Sequence, residues 1–113
     1  MNTKILGTSG EAKAAQFLRD KGYKILATNF SNKVGEIDIV AEDKNFVVFV
    51  EVKTRSSKLF GLPCEAVTWR KQQKIRQVSL SYLKSQKILN KVQSRFDVVE
   101  IVGDEIRHIE NAF

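Results

Sequence analysis

The order of patterned segments along the chain predicts a mixed α/β or α+β domain, a sheet with helices packed against it. Three observations predict it. An amphipathic stretch, "GEAKAAQFLRDKGY", opens the chain. Two alternating or apolar runs, "GEIDIVAED" and "FVVFVEVKT", follow one another with only Lys44-Asn45 between them. A long helical pattern then leads into another apolar run, "RFDVVEIV". The element order is helix, three strands, helix, and one or two strands.

The first helix is bounded by its ends. Thr8 with Glu11 three residues on has the spacing of a capping box, and Gly22 supplies a C-terminal stop. Glu11, Ala14, Ala15, Leu18 and Gly22 share one face. Tyr23 to Phe30, "YKILATNF", reads as the first strand. The next two runs read as a hairpin turned at Lys44-Asn45, and "RSSKLFGLP" as a loop broken by Gly61 and Pro63. From about Glu65 to about Ser85 a second helix carries Val67, Ile75, Val78, Tyr82 and Leu83 as its apolar stripe. "RFDVVEIV" is the fourth strand, Gly103-Asp104 a turn, and "EIRHIE" a short fifth. No internal repeat, low-complexity segment or linker interrupts the chain, so residues 1–113 are expected to form a single domain.

Composition narrows the function classes. The longest apolar run is five residues, Phe46 to Val50, far short of a membrane span. The N-terminal "MNTKILGTSGEAK" has no apolar core of a signal peptide, and the lone Cys64 cannot close an internal disulfide, so the cytoplasm is the expected compartment. Cys64 itself reads as an inert residue. Net charge is +6, from 19 Lys and Arg against 13 Asp and Glu, which favours a polyanionic partner, nucleic acid first. The charge is also segregated: Lys53, Arg55 and Lys58 form one basic cluster, and Arg70, Lys71, Lys74 and Arg76 another.

The chemistry concentrates at the end of the most hydrophobic strand, where Glu51 and Lys53 follow "FVVFV". If Lys44 and Asn45 form a two-residue loop, Asp43 faces Phe46, Ala41 faces Val48, Asp38 faces Glu51 and Glu36 faces Lys53. Strict alternation then projects Glu36, Asp38, Glu51 and Lys53 from one face; an odd loop would scatter them. Opposed carboxylates repel, and burying them unpaired costs more still. A shared proton, a basic neighbour such as Lys53, or a bound divalent cation relieves the repulsion. Two carboxylates with an adjacent lysine, in a basic chain, are what Mg²⁺- or Mn²⁺-assisted hydrolysis of a phosphodiester requires.

Asp38, followed thirteen residues later by Glu51-Val52-Lys53 on the adjacent strand, resembles the core motif of the PD-(D/E)xK nuclease superfamily. The segments "GEIDIVAEDKNFVVFVEVKTRSS", "FGLPCEAV", "RFDVVEI" and "HIENAF" resemble more closely the YraN-type bacterial family, related to archaeal Holliday junction resolvases. The likeness runs from Gly10-Glu11 to Phe113. It implies a restriction-endonuclease-like core with a mixed central sheet. It further implies that Asp38 and Glu51 bind the metal, that the Val52 carbonyl completes the site, and that Lys53 is the catalytic lysine. Glu11 matches a helix-borne acid that supports the metal through water. Ile37 stands where the superfamily's name has proline, a position that varies among members. The implied partner is duplex or branched DNA, and a homodimer accords with symmetric nicking of two strands.

Each residue also has a bland reading. Glu51 and Lys53 can be a strand end entering solvent, their pair contributing at most about 1 kcal/mol. Glu11 can serve the capping box alone. Glu36 reads as a partner of Lys53 or of a basic loop residue, Asp97 as a partner of Arg95 or a second approach to the site, and His108 as a packing residue. Arg55, Lys58, Arg70, Lys71 and Lys74 can be a solvated face or contacts to a phosphate backbone. No aromatic stacking platform is evident, which argues against dedicated single-strand binding. The expected function is therefore a metal-dependent endonuclease. Its rival is a non-catalytic nucleic-acid-binding or adaptor module on the same fold, and a weaker third is a structural protein with solvated carboxylates.

Overall fold

The computed structural model describes residues 9–55 and 67–113. Thr8, Lys58, Gly61, Pro63, Cys64 and Glu65 therefore lie outside the described residues. The element order is α1 (Ser9–Asp20), β1 (Lys24–Ser31), β2 (Glu36–Asp43), β3 (Phe46–Arg55), α2 (Trp69–Ser85), β4 (Gln93–Val102) and β5 (Glu105–Ile109). The five strands form one mixed sheet in sequence order. β3 and β4 are parallel and the other neighbours antiparallel. The parallel pair requires a crossover connection, and α2 supplies it. This is the α/β architecture, with the element order of a restriction-endonuclease-like core, that the sequence predicts.

Local chemistry sets the element ends. Gly22 at φ 98° closes α1 with two bonds, Gly22 N–H to the Arg19 carbonyl (2.9 Å) and Tyr23 N–H to that of Leu18 (3.0 Å), the paired pattern of a glycine-stopped helix. α2 begins four residues later than the apolar stripe predicts. Thr68 is extended (φ −72°, ψ 162°), and its Oγ1 accepts the Lys71 N–H at 3.2 Å, so the chain turns helical only at Trp69. Val67 is buried all the same, ahead of the helix.

Each face of the sheet carries its own core. Ala14, Ala15 and Leu18 of α1 pack with Ile39, Ala41, Val48, Val50, Val99 and Ile101. Ile75, Val78, Tyr82 and Leu83 of α2 pack with Val40, Val47, Phe49, Phe96 and Val98. β3 lies between them, buried on both sides, which explains its unbroken apolar run. The hairpin turns at Lys44 (φ 57°) and Asn45 with the expected register, Asp43 against Phe46 and Ala41 against Val48.

Between β4 and the α1 face lies a buried polar network. Asp97, with no exposed surface, accepts from Arg95 Nε (3.0 Å), the Asn111 N–H (3.1 Å) and His108 Nε2 (2.7 Å). Lys21 Nζ stands 2.8 Å from His108 Nδ1, so Nε2 carries the hydrogen that reaches Asp97. Arg95 also bonds Tyr23 Oη (2.5 Å) and Asp43 (3.2 Å). Burial with the neighbouring carboxylates pushes the Tyr23 hydroxyl up to about 12. Asp97 is thus the partner of Arg95, and His108 a packing and bonding residue whose ring meets those of Tyr23 and Phe17.

Burial alone would raise the Asp97 carboxyl, but its bonds from His108, Arg95 and Asn111 hold it below the ordinary value. A lowered folded value means stability present above the unfolded value, near pH 4, and lost as pH falls through the folded one. Asp97→Asn should therefore cost about 3 kcal/mol at pH 7, since it leaves the Arg95 charge buried without its main partner. In urea unfolding at successive pH values, the gap between variant and wild type should close below about pH 4.

Candidate active site

The β2–β3 ladder ends one position short of the motif. Its last paired residues are Ile39 and Val50, and the next position is Asp38 beside Glu51. There a carboxylate takes the place of a backbone acceptor: the Val52 N–H donates to Asp38 Oδ2 at 2.8 Å. A strand residue presents its N–H and C=O on the same edge, so the Val52 carbonyl is directed to that edge too.

Strict alternation fails at the same place. Ile37 packs in the α2-side core and Ile39 in the α1-side core, although they stand two residues apart. On β1, the position beside Asp38 is Asn29, in the left-handed region at φ 53°. Asn29 Nδ2 donates to Glu11 Oε1 and to Glu36 Oε2, both at 2.9 Å. This corrects the expectation that Glu36 faces Lys53: the change of face carries Glu36 to Asn29 and Glu11. Asp38, Glu51 and Lys53 are brought together as expected, while Glu11 is tied through Asn29 to Glu36 and reaches Asp38 only by its charge. The start of α1 is also pressed against β3, for a side chain at Gly10 would meet Thr54 Oγ1 at 2.6 Å.

Glu51 is 6% exposed and is held by two ammonium groups, Lys71 Nζ at 2.5 Å and Lys53 Nζ at 3.7 Å, both on Oε2. Lys71 therefore belongs to the site itself. Its first-turn position in α2, beyond the last core residue of that helix, aims it at the end of β3. Arg55 Nε lies 2.6 Å from Glu100 Oε2, and Glu100, 1% exposed, neighbours Lys53 in the parallel register. Arg70 and Lys74 are exposed on α2.

The electrostatics follow from this crowding. Burial, then the charge of Glu51, push the Asp38 carboxyl up to about 7 against the lowering effect of the Val52 N–H; Glu11 and Glu36 add to the rise. Burial and the adjacent Lys71 charge lower the Lys53 ammonium. Burial pulls on Lys71 in the same sense, but its bond to Glu51 outweighs it, and Lys71 stays above the ordinary lysine value. Among the described residues no three His, Cys, Asp or Glu side chains are grouped to hold a metal. What is present is two carboxylates and a strand carbonyl, a hard oxygen set that suits Mg²⁺ or Mn²⁺ when water and substrate phosphate complete the shell. A shallow groove of about 380 Å³ adjoins Glu11, lined also by Gln16, Arg19, Thr28 and Asn29.

Two participants escape sequence reading, and a third is read there only as a phosphate contact. Asn29 carries only the weak signal of an asparagine inside a strand. Glu100 repeats the signal of Glu51, a lone carboxylate in an apolar run. Lys71 is one of several lysines until α2 is docked.

A folded value raised above the unfolded one means that Asp38 favours folding below about pH 4 and progressively opposes it as pH rises through 7. Asp38→Asn, which retains an oxygen for the Val52 N–H, should stabilise the metal-free protein by about 1 kcal/mol at pH 8, some 4–8 °C in melting temperature. In EDTA-containing buffers that advantage should widen between pH 5 and 8; a constant or negative difference would contradict the assigned burial and repulsion.

Residues 10–101 match the model of the Uncharacterised protein family UPF0102. A UPF0102 protein of Caldanaerobacter subterraneus subsp. tengcongensis is 48% identical over 120 residues, covering 100% of this chain and 98% of its own. UPF0102 proteins of Clostridium botulinum (strain Loch Maree / Type A3) and Alkaliphilus metalliredigens are each 46% identical, covering 97% and 98% of this chain and 94% and 99% of their own. The family match spans most of the chain and both strands that carry Asp38 and Glu51, and the protein belongs to the UPF0102, YraN-like, family.

Proposed function

We propose that this protein is a divalent-metal-dependent DNA endonuclease of the PD-(D/E)xK superfamily, resolvase-like, acting on branched DNA in the cytoplasm. The observation that carries the reading is the bond from the Val52 N–H to Asp38, which fixes a partly buried carboxylate beside Glu51, where burial and then the Glu51 charge raise its proton affinity. Perturbed carboxylates of this kind cluster at functional sites.

Asp38, Glu51 and the Val52 carbonyl would hold Mg²⁺ or Mn²⁺, which when bound supplies Lewis-acid polarisation of the phosphodiester and a more acidic water. The protein's own groups divide the remaining work. Lys53, its ammonium lowered by burial and by Lys71, orients the attacking water or offsets charge on the phosphate. Lys71 exchanges its contact with Glu51 for a substrate oxygen. Glu11 and Glu36, tied through Asn29, brace the acidic side of the site. Arg70, Lys74, Arg55 and Lys58 meet the phosphate backbone, and the net charge of +6 draws the polyanion in. Branched DNA follows from the resolvase resemblance, as does a homodimer that nicks two strands.

One observation favours the second reading, a non-catalytic nucleic-acid-binding module. The Lys71 ammonium already satisfies Glu51 at 2.5 Å, as a retired site would.

Purified protein incubated with four-way-junction, flap and continuous duplex DNA in Mn²⁺ decides between them. Wild type should cut branched DNA, while Glu51→Gln and Lys53→Ala should lower the rate at least about a hundredfold. Mn²⁺ should also raise the melting temperature of wild type and leave that of Asp38→Asn unchanged. Equal cutting by all variants would remove the enzymatic claim, and salt-sensitive binding without cutting would favour the module.

A further inference from the structure

We infer that Trp69 is a stacking surface for an unpaired base of the nucleic-acid strand bound at the Asp38–Glu51 site, an inference that rests on the nucleic-acid reading above but not on cleavage. Trp69 is the sole tryptophan of the chain and the first residue of α2, and 73% of its surface is exposed. Among the described residues it is the one aromatic side chain without a ring or cation contact. Phe17, Tyr23, Phe30, Phe49, Tyr82 and Phe96 are all engaged with other rings, and Phe46 lies under the Arg95 guanidinium. Among the described residues none covers the indole, which leaves its face open to a ligand.

Its surroundings specify the occupant. α2 carries Arg70, Lys71, Lys74, Arg76 and Lys84 and no acidic residue. A flat aromatic face set in a purely basic surface matches a ligand with both phosphates and π-faces, which is a nucleic acid. Geometry links it to the reactive groups. Lys71, two residues further on and about 3 Å along the axis, reaches Glu51, while Trp69 points about 160° away around the helix. Both residues belong to the first turn of α2, so the indole stands at the same end of the helix as the contact with Glu51.

A base inside a continuous duplex has no free face for the indole. Only a flap, gap or junction offers one, so Trp69 selects DNA with unpaired nucleotides close to the bound phosphate. This revises the sequence expectation that no stacking platform exists. It is one platform at the margin of a duplex-binding surface, and a single ring does not make a dedicated single-strand binder.

Because Trp69 is the only tryptophan, its fluorescence reports the contact directly. The full-length protein in EDTA is titrated with a continuous duplex and with the same duplex bearing a short flap, and affinity is followed in parallel by anisotropy of labelled DNA. The flap should quench Trp69 emission and the continuous duplex should not. Trp69→Ala should lose about tenfold in flap affinity with continuous-duplex affinity kept within twofold, and Trp69→Phe should retain most flap binding. Flap binding without quenching, or equal effects of Trp69→Ala on both DNAs, would overturn stacking while leaving the endonuclease in place. Quenching by the flap without Mn²⁺-dependent cutting would support stacking while removing the endonuclease. If Trp69→Ala instead converts a dimer to monomer in sedimentation and leaves flap affinity unchanged, the ring covers a second copy of the chain and the inference falls.

Discussion

The bond from the Val52 N–H to Asp38 Oδ2 ends the β2–β3 ladder with a side chain in place of a carbonyl, and the site is organised around that substitution. A ladder continued by backbone alone would have kept β2 alternating, sent Ile37 to the α1 core and left Asp38 free. With the carboxylate bound at the strand edge, Ile37 joins the α2 core instead, and Glu36 goes over to Asn29 and Glu11. One N–H donor therefore fixes Asp38 and separates it from the acids gathered on Asn29.

Two aspartates on the same sheet show what such placement means. Asp97 is wholly buried, accepts from a guanidinium, an imidazole and a backbone N–H, and is held below the usual carboxylate range. Asp38 is less buried, accepts one backbone N–H, faces Glu51 and is pushed up to about 7. The first environment is complete, and its chemistry ends in stability. The second is incomplete in the sense that a cation or proton would relieve it. β3 makes both possible. Covered by α1 and α2 along its apolar run, it tolerates charge only near its ends, where helix cover thins and the first turn of α2 delivers Lys71.

Much of this was legible in the residues. The five-residue apolar run identified β3 as central, because only a strand covered on both faces dispenses with alternation. Gly22 and the Lys44-Asn45 pair identified a helix stop and a two-residue turn, since both depend on local conformational preference. Asp38, Glu51 and Lys53 stood out because charge next to a buried strand demands an explanation. The start of α2 was read too early, since helical periodicity through Val67 outweighed the cap at Thr68.

The sequence by itself thus determined the element order, the three residues at the end of the central strand and, given a two-residue turn at Lys44-Asn45, the hairpin register, because each rests on interactions between near neighbours in the chain. Only the tertiary structure decided that alternation breaks at Asp38, that Lys71 completes the cluster on Glu51, that Glu100 stands beside Lys53, and that Trp69 is exposed with no ring or cation contact among the described residues. Those facts depend on how α2 and β4 dock against β3, contacts between residues far apart in the chain whose geometry no local pattern encodes.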